Sequence, residues 1–588
     1  MSHMFKLLRI LHKKDYIFIG LAILFIAGQV GLELKMPEYM SAITSLVQTE
    51  GSEMGEIVRN GGMMLLCALG SLLSTIIAGW FVSHIGADFS YLARKKIFDK
   101  VESLSVNEVH KFSTASLITR TTNDITQVRT LITMGANMLV RAPMTAVWAI
   151  IKIYNKSWEW STATAVAVVI LLATVATIMA VVVPRFKFIQ KLTDKINGVT
   201  RENLTGIRVV RAFNAEKYQE RKFDKTNTEL ADITCFADRI LSIMSPAMYL
   251  VMNGITLVIY CIGASLINSA ELADKLTIFS DMVVFSSYAM HVIMSFLMVA
   301  MVFMVIPRAQ VSADRINEVL DEPITITDGD FDDETAETGT VEFRNVSFKY
   351  PDAEEYLLKN ISFKAEKGQT VAFIGSTGSG KSTLINLVPR FYDVTDGAVY
   401  VDGVNVKDYK LKKLYSKLGY VPQRAVIFSG TVASNIAYGD NGKGKPSERK
   451  IQAAARVAQA KNFIEKLENQ YNARIAQSGT NISGGQKQRL AIARAIARDP
   501  EIYIFDDSFS ALDYKTDAAL RQALKAYTKD ATSLIVAQRI GTIMNADQII
   551  VLDKGECVGR GTHKELMKNC AVYKEIALSQ LTKEELNV

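Results

Sequence analysis

Residues Thr370–Leu384 read TVAFIGSTGSGKSTL. An apolar run that predicts a buried strand is followed by Gly375, then Ser376, Thr377, Gly378 and Ser379, then Gly380, Lys381 and Ser382, with a helix expected from Thr383 to Phe391. That order and spacing specify a phosphate-binding loop. The glycines let successive backbone N–H groups turn inward, and the helix that follows directs its positive end to the same point. Lys381 is placed to reach the terminal phosphates and Ser382 to ligate Mg²⁺.

Working outward, the 588 residues exceed what a single core holds, so two or more domains are expected. Hydrophobic residues make up 49% of the chain and the net charge is +7, unevenly spread. A membrane accounts for that spread better than nucleic acid does, and no aromatic-and-basic nucleic-acid signature stands out. Cys67, Cys235, Cys261, Cys557 and Cys570 form no CxxC pair, so neither a zinc site nor a disulfide framework is expected. The opening MSHM reads as a cloning scar before a native start at Met4.

Before the loop, runs free of Asp, Glu, Lys and Arg recur at Tyr16–Leu32, Asn60–Ala87, Trp160–Val183, Leu241–Ala270 and Met282–Pro307. Each approaches or exceeds the ~20 residues that span a bilayer. A sixth span is expected from Leu131 to Ile151, interrupted by Arg141. The connections alternate in charge. Lys6, Arg9, Lys13 and Lys14 precede the first span, Glu50, Glu53 and Glu56 follow it, and Arg94, Lys95, Lys96 and Lys100 follow the second. Positive charge stays inside, so a multi-pass protein of the cytoplasmic membrane with both termini cytoplasmic is expected. An acidic stretch, 321–340, then reads as a solvated linker between a membrane domain, 1–320, and a nucleotide module, 341–588.

Further motifs accompany the loop. Tyr350 follows an alternating strand and either stacks on a nucleobase or closes that strand. Gln423 follows the apolar Leu418–Pro422, and its amide suits a magnesium or water contact. Asn481–Arg489 reads NISGGQKQR, where Ser483, Gly484, Gly485 and Gln486 offer backbone donors at a helix start. The strand EIYIF ends in Asp506, Ser510–Asp513 follows, and another apolar strand ends before Gln538.

Together, and in this order, these motifs resemble those of ATP-binding cassette (ABC) exporters, with coverage essentially end to end. The resemblance implies an α-helical membrane domain of six transmembrane helices fused to an α/β P-loop nucleotide-binding domain, using ATP and Mg²⁺. It implies nucleotide contacts from Tyr350, Gly375 through Thr383, Ser483 through Gln486, and Asp513. Ser382, Gln423 and Asp506 would hold Mg²⁺. Lys111–Thr130 and Asn203–Phe223 resemble the family's coupling loops. Two nucleotide domains would close head to tail, with each ATP held between one phosphate loop and the other's signature.

Two positions depart from the family pattern. Where a glutamate base is usual stands Asp507, and where a histidine is usual stands Gln538; Gln477 is a third, softer departure. A positioned base is worth ~10²–10⁴ in rate. Shortening a carboxylate by one methylene misplaces it by the ~1 Å that can cost ~10²-fold. The expectation is therefore a heterodimer, in which this chain binds ATP in a slow site and lends its intact signature to a non-identical ABC half-transporter. Alternatives are a homodimeric exporter of lipids or peptides, and an ATP-gated regulatory membrane protein. Resemblance to the multidrug-type heterodimers of bacteria makes an amphipathic small molecule, a drug or lipid, the expected cargo, with Glu33, Lys35, Glu38, Arg141 and Asp281 as candidate contacts. Methionines of the last span, Met282, Met290, Met294, Met298, Met301 and Met304, suit varied apolar ligands but read first as packing.

Overall fold

The computed structural model describes residues 2–49, 52–154, 158–271 and 274–582. Glu50 lies outside these, as does the side chain of Met304. The chain divides into two compact units, one of residues 1–102 with 112–322 and the other of residues 103–111 with 323–588.

The first unit is helical because its apolar runs satisfy their backbone polar groups internally, as a bilayer requires. Its elements are α1 (Lys13–Gln48), α2 (Met54–Ser103), α3 (Ile125–Tyr154), α4 (Trp158–Thr205), the pair α5 (Glu216–Ser242) and α6 (Met244–Ser269), and α7 (Lys275–Asp321). Six helical stretches among the described residues are long and apolar enough to cross a membrane, including the expected sixth, which carries Arg141. Burial runs opposite to that of a soluble bundle. Leu65, Leu66, Leu72, Leu73 and Ile76 of α2 are exposed. Inside, Val30, Leu34, Ala149, Trp160, Ile259, Phe285 and Tyr288 join one core drawn from α1, α3, α4, α6 and α7. Pro37 within α1 removes an N–H from the helical ladder, and Tyr288 Oη donates to the Leu34 carbonyl of the same turn at 3.0 Å.

The second unit is an α/β module. Its antiparallel sheet pairs β1 (Val341–Phe348) with β2 (Leu358–Ala365) and with β4 (Asp396–Val401). Its main sheet carries β3 (Thr370–Gly375), β5 (Leu418–Val421), β6 (Ile502–Asp506), β7 (Thr532–Val536), β8 (Gln548–Asp553) and β9 (Glu556–Gly561) in the order β9-β8-β3-β7-β6-β5. All neighbours are parallel except β8 and β9. Every residue of β6 is buried, as is the middle of β3, which explains their unbroken apolar sequences. Because β3, β7 and β6 are adjacent and parallel, the turns leaving their C-terminal ends share one edge of the sheet.

The segment expected as a solvated linker is instead largely fastened to the module. Lys410 reaches Asp332 at 2.8 Å and Lys413 reaches Glu334 at 2.7 Å. The Leu411 N–H donates to Asp328 at 2.7 Å, and Phe331 packs edge-on against the buried Tyr409 ring. The acidic run is matched by a basic one, so its charges have partners other than water.

Candidate functional site

After β3 the chain turns through a glycine cradle. Gly378 and Gly380 have φ of 83° and 91°, and a Cβ on Gly380 would stand 2.6 Å from Leu358 Cδ2. The loop opens α8 (Lys381–Asn386), whose first residue is buried. Lys381 Nζ donates to the carbonyls of Gly375 at 2.9 Å and Ser376 at 2.7 Å, while Ser376, Thr377 and Gly378 form the exposed tip. Burial holds the Lys381 ammonium below its ordinary pKa, opposed by Asp507 and Asp506. Ser382 Oγ donates to Asp506 Oδ1 at 2.7 Å. The hydroxyl and carboxylate assigned to Mg²⁺ from the sequence thus meet across β3 and β6, with oxygen donors of the hard kind that this ion takes. Burial pushes the Asp506 carboxyl up, and the Ser382 hydrogen bond opposes it. Tyr350 is half-buried, its hydroxyl is 2.9 Å from Thr383 Oγ1, and its ring meets Phe348 and Tyr392 edge-on. It closes the strand while touching the helix that opens at the loop.

Asp507 and Gln538, distant in sequence, come together. Asp507 is buried and its backbone φ is 43°, a left-handed conformation. Its Oδ2 accepts from Gln538 Nε2 at 2.9 Å and from Gln423 Nε2 at 3.3 Å. Burial raises the Asp507 carboxyl above its ordinary pKa, with Gln423 and Ser510 opposing. A carboxylate oxygen committed to two amide donors has little lone-pair capacity left for a proton.

The signature begins α9 (Gly484–Arg498). Ser483 caps it, with its N–H donating to Gln486 Oε1 at 2.9 Å and its hydroxyl accepting from the Gln486 N–H at 3.4 Å. Ser483 and Gly484 are exposed, and nothing lies within 4 Å of a Cβ placed on Gly484, so the helix start is open to an incoming ligand. Asp513 caps α10 (Tyr514–Tyr527) by accepting from the Thr516 N–H at 2.9 Å, which accounts for its type without a nucleotide.

Sequence reasoning missed the residues that fix the Gln423 segment. Gln488 donates to the Pro422 carbonyl at 3.3 Å and Ser508 to the Val421 carbonyl at 3.0 Å. Arg494 donates to the Val426 and Asn435 carbonyls at 3.0 and 2.9 Å and lies over the rings of Phe428 and Tyr438. Gln488 and Arg494 belong to α9, so the signature helix and the Gln423 segment are mechanically joined.

The membrane residues singled out from sequence divide. Glu33 and Arg141 form one pair and Glu38 and Lys152 another. Lys35 is exposed and Asp281 is half-buried. Met282 packs in the helical core, whereas Met294 and Met301 are exposed.

Comparison with known proteins bears on this arrangement. Residues 19–296 match the ABC transporter transmembrane region family and residues 358–510 the ABC transporter family. The chain belongs to the ABC transporters. An uncharacterized ABC transporter ATP-binding protein of Mycobacterium tuberculosis is 39% identical over 92% of this chain and 93% of its own length. One of Bacillus subtilis is 35% identical over 96% of each chain. The ATP-dependent lipid A-core flippase of Pseudomonas aeruginosa is 32% identical over 87% of this chain and 83% of its own. In fold, this ABC transporter is similar to a bacterial Atm1-family ABC exporter solved with ATP bound, with a TM-score of 0.80, 24% identity, and coverage of 96% and 98% of the two chains. Membrane helices fused to an ATP-binding module are thus the architecture of the family, and the glycine cradle, Lys381 and Ser382 lie within the matched ABC transporter region together with Asp506.

Proposed function

We propose that this chain is one subunit of an exporter of amphipathic compounds, and that its own phosphate-loop site binds Mg·ATP but cleaves it slowly. The observation that carries the reading is the double amide clasp on Asp507. A general base needs a free carboxylate oxygen within reach of the attacking water. This one is short by a methylene relative to glutamate, and its Oδ2 takes both amide donors, which leaves only Oδ1 to receive a proton. Gln538, which cannot become cationic, directs its amide at Asp507. Bound ATP supplies the phosphoanhydride whose cleavage resets a transport cycle. Lys381, which donates to the loop carbonyls, would hold phosphate oxygens, and Ser382, Gln423 and Asp506 would hold the metal.

The capped, open signature helix completes a site on a second subunit. Since this signature is intact while Asp507 and Gln538 depart, the partner proposed is an unlike half-transporter that supplies the competent base and histidine. Export, rather than uptake, is supported by the six-span architecture and by the fold neighbour. Amphipathic cargo is supported by the flippase relatives. A cytoplasmic side for both termini is supported by the basic cluster Arg94, Lys95, Lys96 and Lys100 after the second span.

The test is phosphate release by the purified chain, with native mass measurement of the complex isolated from its source. The expected result is an unlike pair and slow release without the partner. Vigorous hydrolysis by a preparation containing only this polypeptide refutes the asymmetric reading, and a homodimeric mass with that activity makes it an ordinary symmetric transporter.

A further inference from the structure

Two ion pairs tie α1 to α3, and they are built differently. Glu33 is satisfied from several directions: Arg141 Nη2 lies 3.0 and 2.9 Å from its two oxygens, Gln29 donates at 2.9 Å and Ser71 at 3.2 Å. Its side chain is only 15% exposed. Little acceptor capacity remains for a ligand, so this pair is a closed structural clasp. Five residues along α1, about 7.5 Å further at ~1.5 Å per residue, Lys152 Nζ meets Glu38 Oε1 at 2.5 Å, and these side chains are 46% and 44% exposed. Both border a cavity of about 200 Å³ whose wall also includes Ser41, Val284 and Tyr288. The Tyr288 hydroxyl stands 3.5 Å from Glu38 Oε1.

Half-open charges on spanning helices are costly against lipid and characteristically face a polar cavity or a ligand. A pair serving packing alone would be closed in the manner of Glu33 and Arg141. We propose that this cavity binds the head group of a zwitterionic amphiphile, its cation beside Glu38 and its anion beside Lys152. A ligand carrying both signs exchanges the partner of each protein charge and strands neither. A singly charged head group would leave Glu38 or Lys152 uncompensated. A cavity of about 200 Å³ has room for a head group the size of phosphoethanolamine. Val284, in the cavity wall, supplies an apolar side for the start of an acyl chain, and the amphipathic class is taken from the function proposed above. The inference rests on the reading of amphipathic cargo above and names its chemical class.

The experiment mixes the full-length protein, in the complex in which it assembles, with phosphatidylethanolamine, phosphatidylglycerol and diacylglycerol of equal chain length. Retained lipid is counted by native mass spectrometry, with glycerophosphoethanolamine as a chain-free competitor and phosphate release followed in parallel. Phosphatidylethanolamine is expected to exceed diacylglycerol by roughly tenfold or more, and Glu38→Gln or Lys152→Gln to remove that preference. The reversed pair, Glu38→Lys with Lys152→Glu, keeps the helices joined and is expected to restore it. Equal retention of diacylglycerol, preference for phosphatidylglycerol, competition by the chain-free head group, indifference to both single substitutions, or no recovery in the reversed pair overturns the proposal. Lipid discrimination without any coupling to phosphate release refutes export and leaves the site. Amphiphile-stimulated release that ignores both substitutions refutes the site and leaves export.

Discussion

Replacing Asp507 by Glu together with Gln538 by His tests the chemistry at its narrowest point. To take a proton on Oδ2, the Asp507 carboxylate must give up at least one of the amide contacts at 2.9 and 3.3 Å. A hydrogen bond of this kind is worth about 1 kcal/mol, or roughly fivefold in rate. The missing methylene leaves the oxygen about 1 Å short, which can cost ~10²-fold. The two effects share one hydrogen-bond network, so the longer carboxylate recovers its ~10²-fold only once the Gln538 amide is also gone; released together they reach about 500-fold, or about 3.7 kcal/mol of barrier at ~1.36 kcal/mol per decade. The double variant is therefore expected to raise phosphate release from this chain's site by two to three decades. Each single variant should give much less, because Asp507→Glu leaves the Gln538 amide in place and Gln538→His leaves the carboxylate short. Neighbouring residues sharing one hydrogen-bond network are not additive. The assay is phosphate release at saturating Mg·ATP for the wild type, both singles and the double. A wild type already within about threefold of the double variant, or singles whose effects simply multiply, would show that the clasp does not limit the reaction.

Two further outcomes follow from burial elsewhere in the module. Lys417 lies 2.7 Å from Asp402 and 3.1 Å from Glu501, with the Lys417 and Asp402 side chains 3% and 0% exposed. Lys417→Met should cost about 3–5 kcal/mol by stranding a buried carboxylate, read by denaturant unfolding; an unchanged midpoint would mean Asp402 relaxes into solvent. At Asp506, burial raises the carboxyl above its ordinary value of 3.8. Mg·ATP affinity should fall on acidification through that raised pKa, at higher pH than for an ordinary aspartate. The stability of the nucleotide-free protein carries the opposite sign: this group's contribution is fully present below the unfolded pKa and is lost as pH rises through the folded one. Titrations of binding and unfolding against pH check both trends, and an identical profile for Asp506→Asn would refute the assignment.

The parts legible in the sequence were those whose physics is local. Thr370–Leu384 announces strand, cradle and helix within one window, and each apolar run carries its own span. Even Arg141 did not conceal its helix, because one charge among apolar neighbours leaves the run long enough. What escaped were pairings across distance. The acidity of residues 321–340 taken alone reads as solvated; the signal against that lies far along the chain, in the basic stretch Lys410, Lys412, Lys413 and Lys417. The Glu33–Arg141 clasp needed two helices brought side by side. Asp507 and Gln538 were each recognisable as departures, yet only the adjacency of β6 and β7 makes them partners. Arg494 gave no local hint, for its role is set by the carbonyls and rings around it.

The interlocking of Gln423, Asp507 and Gln538 also bears on how such a site can change over generations. Each of Asp507 and Gln538 is suited to the other, so altering one alone leaves a buried acceptor poorly matched while recovering little speed. On the asymmetric reading proposed above, a route back to faster hydrolysis must cross that shallow trough in two moves, which makes the slow form self-preserving once it has arisen.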